Sequence, residues 1–447
     1  MKAGRLQFGM PSARFIACAL PPASPAVTSG AGFFRRRTRY EFTLPRTFQP
    51  AEFLPPRLLT RADDARWLVS TIVRKTAYKD VDPWGCVRLH TDVMRRVMGQ
   101  NSIADIVKAL EAGGAIEIAP YCPSVKCRGF RLAARYLGDR CVRVPAVDPK
   151  LIARIEAERL RQHDEQRSRW KPIHYMLDDE QTAVSVTTDA NEILDDLPEH
   201  TRLCQDVLLS NIRHRQFPFS VSSTGRVFNA ITGIKRELRP TLRLAGEPMG
   251  SVDISCAQPA LLALMLHQET HPNGPKPRET YIYAARGPCP APCLPVDPAL
   301  ACPADFLTFA SLACGGTLYE RLVADTGLDR DAVKLGLLRD VLAKRGRYPS
   351  AVESAFRDAF PSVLKLIRLV NRRDHGELIR LLQRAESWLV VEQVAPRLLG
   401  RVPIVTLHDS LFSRRPDVPT VADVFRQVFD ELGFQMALKA EGELSNE

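Results

Sequence analysis

Two aspartates far apart in the chain, each closing a short apolar run, are the residues best suited to chemistry. Asp253 lies in Gly250-Ser251-Val252-Asp253-Ile254-Ser255-Cys256-Ala257-Gln258-Pro259, ahead of an apolar stretch at 260–266 that reads as a buried helix. Asp409 follows His408 in Pro403-Ile404-Val405-Thr406-Leu407-His408-Asp409-Ser410-Leu411-Phe412, which reads as a strand, a tight polar turn and a returning strand. That pattern predicts His408 and Asp409 at an exposed hairpin tip. A carboxylate at a strand end is supported from behind and open in front, so it can hold a hard cation. Two of them can share two Mg²⁺ ions about 4 Å apart, which activate an attacking 3′-hydroxyl and stabilise a leaving phosphate. Taken singly, Asp253 is equally a helix N-cap and Asp409 equally a turn residue.

Cations stand between and before these acids. Arg330 and Lys334 in Leu328-Asp329-Arg330-Asp331-Ala332-Val333-Lys334 are four apart and share one helical face. Two cations in register suit a triphosphate, and Lys334 can also protonate the departing pyrophosphate. A solvated helix face explains the same spacing. Upstream, in Ser222-Ser223-Thr224-Gly225-Arg226-Val227-Phe228, Gly225 permits close backbone approach and Arg226 can reach a phosphate or a base edge. Lys235, Arg236 and Arg239 continue a basic surface.

The elements that must position these residues are legible in outline. Ala304 onward reads as mostly helical to Leu399, and the Pro-rich stretch 271–303 reads as a surface insertion, since it can continue neither a helix nor a central strand. Before the acids, helices are predicted over Asp63–Lys75, Thr91–Met98 and Ser102–Ala112, followed by strands over Ala115–Tyr121 and Arg128–Ala133. Helices followed by a short hairpin form a winged-helix pattern, with Lys126, Arg128 and Arg131 on the wing. Such a unit also serves protein contact or packing alone. Asp148–Lys171 reads as a long, charged, solvent-exposed connector, and Thr188–Arg213 as helical.

Bulk properties narrow the class. The chain has 447 residues with 45% hydrophobic content, enough for two or three domains. Its 62 Lys and Arg against 51 Asp and Glu leave +11, which suits a polyanionic partner. No apolar run approaches ~18 residues, so no membrane span and no membrane partner are predicted. The 11 cysteines are odd in number and scattered, which argues against a secreted disulfide framework and for a reducing cytoplasm. Cys289, Cys293, Cys302 and Cys314 lack paired CxxC knuckles and read as structural thiols, as do Cys122 and Cys127.

The ordered set resembles the core shared by A-family DNA polymerases and phage-type single-subunit RNA polymerases, over Ser220 to Glu447. Thr224-Gly225-Arg226 is similar to that family's TGR segment near the primer-template. Asp253 matches its first metal-binding Asp, Arg330 and Lys334 its fingers RxxxK, and His408-Asp409 its final palm motif. Gln383 resembles a polar palm residue that precedes that motif. The resemblance implies an α+β right-hand fold: an antiparallel palm sheet with helical fingers and thumb, here joined to an N-terminal winged helix. The departures concern sugar choice. Gln258 stands where the DNA enzymes carry a Glu, and Ser410 makes the last motif HDS, as in the phage-type RNA polymerases. Gly225 to Phe228 also resembles the GRVY-like segment of those RNA polymerases. Leu338 and Leu342 occupy the candidate places for the fingers aromatic.

The organisation expected is a basic, largely disordered arm over 1–60, a winged-helix-like domain over 61–145, a helical connector or thumb over 146–219, and palm and fingers over 220–447. The function expected is template-directed nucleotidyl transfer with two Mg²⁺, DNA synthesis favoured and no proofreading. Its partners would be a template, a primer and nucleoside triphosphates. An RNA-synthesising enzyme or primase is the alternative, and from another class, an inactive winged-helix DNA-binding replication or regulatory protein.

Overall fold

The computed structural model describes residues 40–119, 127–168, 170–270, 304–344, 346 and 348–442, with backbone alone for 267–270 and 304. The Pro-rich stretch 271–303, Lys126, Cys122, Cys289, Cys293, Cys302 and the arm up to residue 39 lie outside the described residues. From Glu41 onward the chain forms one unit.

An antiparallel sheet is built around strand Glu247–Ile254. One neighbour is Ser410–Arg414, which returns from Ile404–Leu407 through the turn His408-Asp409. The other is Leu438–Glu441, paired along 251–254, while Leu242–Leu244 and then Val184–Val186 extend the sheet from the start of the long strand. All four residues of Ile404–Leu407 are buried, which is why this strand reads as a continuous apolar run and not as an alternation. Helix Val418–Leu432 packs against both Glu247–Ile254 and Ser410–Arg414, with Val421, Phe425, Val428 and Phe429 buried. Its close approach requires Gly250: a Cβ there would stand 2.6 Å from Val418 Cγ2 and 2.8 Å from the Glu441 carbonyl oxygen.

A helical layer carries the cations. Helix Ala257–Thr270 is apolar all round, and residues 260–266 are all buried. Ala304–Cys314, Leu318–Thr326, Arg330–Gly336, Ala351–Ala359 and Pro361–Val370 follow, and Phe309, Phe356 and Phe360 lock three of them edge-on at ring separations of 5.1 to 5.9 Å. Helix Glu377–Ser387 packs on Ala257–Thr270 and then widens into a π-turn at Trp388–Val394.

N-terminal to the sheet, helix Ala62–Ala77, strand Val87–Leu89, helices Thr91–Met98 and Ile103–Ala112, and strands Ile116–Ile118 and Arg128–Leu132 follow in order. The three strands are antiparallel with 128–132 in the middle. Val87–Leu89 escapes sequence reading because three residues carry no period.

Two expectations require correction here. Residues 41–60, assigned from sequence to a largely disordered arm, are folded: Glu41–Pro45 pairs antiparallel with Cys141–Pro145 and buries Phe42 and Leu44. Thr43 N donates to Ser70 Oγ at 3.0 Å, fixing this strand to helix Ala62–Ala77. The prolines around it masked a short apolar alternation. The connector Pro149–Arg167 is not a free exposed helix either: Leu151 and Ile155, four apart, are buried, and Glu158 accepts from both Arg96 and Arg161. A two-residue stripe is too narrow to stand out against so many charges.

The six described cysteines Cys86, Cys127, Cys141, Cys204, Cys256 and Cys314 are free thiols. No described helix is long and apolar enough to cross a membrane.

Gly250→Ala is expected to destabilise the protein by about 1–3 kcal/mol, because backbone on the 441 side cannot give way. Urea denaturation checks this, and an unchanged midpoint would refute the close-approach account.

Candidate functional site

The sheet register brings the two aspartates together. Asp253 pairs with Ser410, so Asp409 in the turn stands beside the end of the Asp253 strand, and Ile254 N lies 3.4 Å from the Asp409 carbonyl oxygen. His408, the first turn residue, has φ +57°, a left-handed conformation that two-residue hairpins usually give to Gly or Asn. A non-glycine residue held there is strained, and such strain clusters at functional sites.

The hairpin tip is half-buried, not exposed as the sequence suggested. The Phe228 ring lies edge-on to His408 at 5.6 Å. Burial pushes the His408 imidazole down to about 4, and the charges of Arg226, Lys79 and Arg239 push the same way, so the ring is neutral near pH 7.

Burial raises both acids, and at Asp253 the charge of Asp409 adds to it. Asp253 is pushed up to about 6, by burial first, then by Asp409 and Glu441, with Lys439 and Arg239 pulling back. Asp409 is also held above the ordinary carboxylate range by burial, opposed by its own backbone N–H, Arg226 and Lys334. Two half-buried carboxylates that resist being charged side by side favour a divalent cation between them. Their hard oxygen donors fit Mg²⁺, which takes one or two protein carboxylates and completes its shell with water and substrate phosphates. Among the described residues no group of three His, Cys, Asp or Glu converges on a metal position, so this donor set stops at the pair.

The fingers cations divide. Lys334 is exposed and its charge reaches Asp409. Arg330 is exposed as well, yet its Nε donates to Glu320 at 3.1 Å and its guanidinium lies 5.3 Å from the centre of the Tyr319 ring. Gln258 sits in the first turn of helix Ala257–Thr270, with Oε1 buried and without a hydrogen-bond partner among the described residues. Leu338 is half-buried and Leu342 buried, so neither presents a ring-like surface to a nucleotide.

The Ser222–Arg226 turn docks on helix Glu377–Ser387. Thr224 Oγ1 donates to Gln383 Oε1 at 3.3 Å, and a Cβ on Gly225 (φ +82°) would stand 3.2 Å from Ser387 Cβ. Arg226 Nε and Nη2 donate to Glu386 at 2.8 and 2.6 Å. Thr224 is buried against the helix and Gly225 is half-buried beside Ser387. On the N-terminal hairpin Arg128 is exposed, whereas Arg131 is ion-paired to Glu117 across the strands and its charge is compensated.

Sequence reading missed Glu386, Tyr319, Lys79 and Lys439 at this site. Glu386 had a usable signal, three residues beyond Gln383 on the same helical face. Lys439 lies directly opposite Asp253 in the sheet, and neither it nor Lys79 nor Tyr319 carries any local pattern that points there.

No family model matches this chain, and no curated protein matches it. Among solved structures it is similar to the POL domain of Pol1 from M. smegmatis in complex with DNA primer-template and dNTP, at 12% identity and a TM-score of 0.26. The match covers 85% of this chain and 65% of that one. A TM-score this low does not establish a shared fold.

Replacing Asp409 by Asn is expected to lower the Asp253 value from about 6 towards the ordinary carboxylate range, because it removes a neighbouring negative charge. Carboxylate-carbon NMR titration of both proteins reads this directly, and an unmoved Asp253 would show that the two acids do not interact.

Proposed function

We propose that this chain is a template-directed nucleotidyltransferase that extends a primer by phosphoryl transfer, with DNA synthesis favoured and without proofreading. The observation that carries the reading is the apposition of Asp253, near the end of its strand, and Asp409, in the turn of the neighbouring hairpin, with Asp409 within reach of the charge on Lys334. The antiparallel sheet would be the palm, the helices between Ala304 and Gly346 the fingers, and the helices before Ser220 the thumb.

Asp253 and Asp409 would hold two Mg²⁺ ions. Bound there, the ions supply the charge and Lewis acidity that phosphoryl transfer requires. The residues of the chain do the rest. Lys334 neutralises the triphosphate and holds a proton for the departing pyrophosphate, and Arg330 adds a second cation one helical turn away. Neutral His408, wedged against Phe228, keeps its neighbour Asp409 in place. Arg226, Arg239 and Lys79 form a cationic margin beside the acids, suited to a phosphate backbone.

The N-terminal element order supports a winged-helix module. Helix, strand, two helices and a hairpin, with the first strand pairing to the last, is the arrangement such modules use to present a helix and a wing. Arg128 would contribute to the wing. RNA synthesis is the second reading, favoured by Gln258 and by Ser410 after His408-Asp409.

Magnesium-dependent extension of a labelled primer, run separately with dNTPs and rNTPs, tests both. Asp409→Asn should lower the rate by about 10²–10³-fold or more, and Lys334→Ala by about 10²-fold, while primer-template binding persists. If wild type and Asp409→Asn both bind DNA and neither incorporates a nucleotide, the chain is a DNA-binding protein and not a polymerase.

A further inference from the structure

The Ser222–Arg226 turn is held by a constellation that the two-carboxylate chemistry does not use. Glu386 is almost fully buried, at 2% side-chain exposure, and its two oxygens accept from Nε and Nη2 of Arg226, itself only 17% exposed. A bidentate guanidinium–carboxylate pair fixes the plane of both groups, which a single hydrogen bond does not. It also engages one edge of the guanidinium, and among the described residues Nη1 has no acceptor.

Gln383, Glu386 and Ser387 are three and four residues apart, so they share one face of helix Glu377–Ser387. Thr224, Arg226 and Gly225 meet them respectively. Within the turn, Ser222 Oγ accepts from Thr224 N at 3.3 Å and Arg226 N at 3.1 Å, and Gly225 N donates to the Ser222 carbonyl oxygen at 3.0 Å. These contacts hold the turn on the helix, and the Glu386 pair orients the Arg226 side chain. That side chain lies within charge reach of both His408 and Asp409. Burial, with Asp409 adding to it, pushes Glu386 up to about 7, and the ion pair with Arg226 is what opposes protonation of this costly carboxylate.

We propose that Glu386 is a positioning residue for nucleic-acid binding: it grips one edge of Arg226 so that the free Nη1 edge donates to an acceptor on the bound strand beside His408-Asp409. The proposal rests on the nucleic-acid-binding reading above. A carboxylate is needed because it alone accepts from both Nε and Nη2 at this geometry. Glutamine has the same size and offers only one acceptor oxygen, so it keeps the shape of the site and loses the grip.

Three measurements on the full chain test this, using Glu386→Gln as the isosteric variant and Glu386→Ala as a second. Hydrogen exchange at Gly225 and Arg226 reads the docking of the turn without any ligand and should accelerate about tenfold in both variants. Primer-template affinity, by fluorescence anisotropy without nucleotide, should fall about 10–100-fold in both, with the KM for nucleotide unchanged. In a double-mutant cycle, Arg226→Ala with Glu386→Ala should bind no more weakly than Arg226→Ala alone.

A Glu386→Gln protein that binds primer-template as wild type does would overturn the proposal, as would fully additive losses in the cycle. If the wild type binds primer-template and never extends it, the polymerase reading fails while the affinity and cycle measurements still decide the role of Glu386. If it binds no nucleic acid at all, unchanged exchange at the turn overturns the proposal, and accelerated exchange limits Glu386 to holding the turn, which overturns its role in binding.

Discussion

The antiparallel register between Glu247–Ile254 and Ser410–Arg414 is the constraint from which the site follows. Side chains alternate across a strand, so a slip of one residue would send Asp253 to the opposite face of the sheet and away from Asp409. Several independent contacts hold the register. Gly250 lets helix Val418–Leu432 close on the sheet, and Asn229 Nδ2 donates to the Thr406 carbonyl oxygen at 2.7 Å. The pairing of Leu438–Glu441 on the far edge pins the same segment from its other side.

That register imposes an electrostatic cost, since two half-buried carboxylates are set beside each other. Cations from separate parts of the chain offset it: Lys334 from the helical layer, Arg226 from the docked turn, and Arg239 and Lys439 from the sheet region. A negative centre inside a positive margin is the distribution expected where a polyanion is bound while cations are concentrated at one point.

The helix Glu377–Ser387 is the second organising element. It packs on the apolar helix Ala257–Thr270 behind the Asp253 strand, and on its other side it receives the Ser222–Arg226 turn. A displacement of this helix would therefore move Arg226 relative to Asp409. The π-turn at Trp388–Val394 that follows is a local widening of the kind often found near functional sites. On the N-terminal side, Tyr78 accepts from Asn211 Nδ2 at 2.7 Å, so the helix that ends at Ala77 is tied to Glu199–Arg213, and Lys79 lies within charge reach of His408.

How much of this was legible in the chain depends on how local each cause is. Helices with a strong period, such as Thr91–Met98 and Ile103–Ala112, and the hairpin through His408-Asp409 follow from residue order, because their hydrogen bonds close within a few residues. The acids and the Arg330, Lys334 pair were likewise recognisable from residue type and spacing. Three-residue strands, the Glu41–Pro45 pairing with Cys141–Pro145, and the burial of the hairpin tip were not, since their partners lie far along the chain. Residue order by itself determined which groups could hold a cation or a phosphate. Tertiary structure decided which of them meet, placing Asp253 beside Asp409, turning Arg226 onto Glu386 and Arg131 onto Glu117. The physical reason is that strand register and cross-strand or inter-element ion pairs are settled by packing, against a segment 14 residues away for Arg131 and more than 150 away for Asp253 and Arg226, and no local pattern encodes that choice.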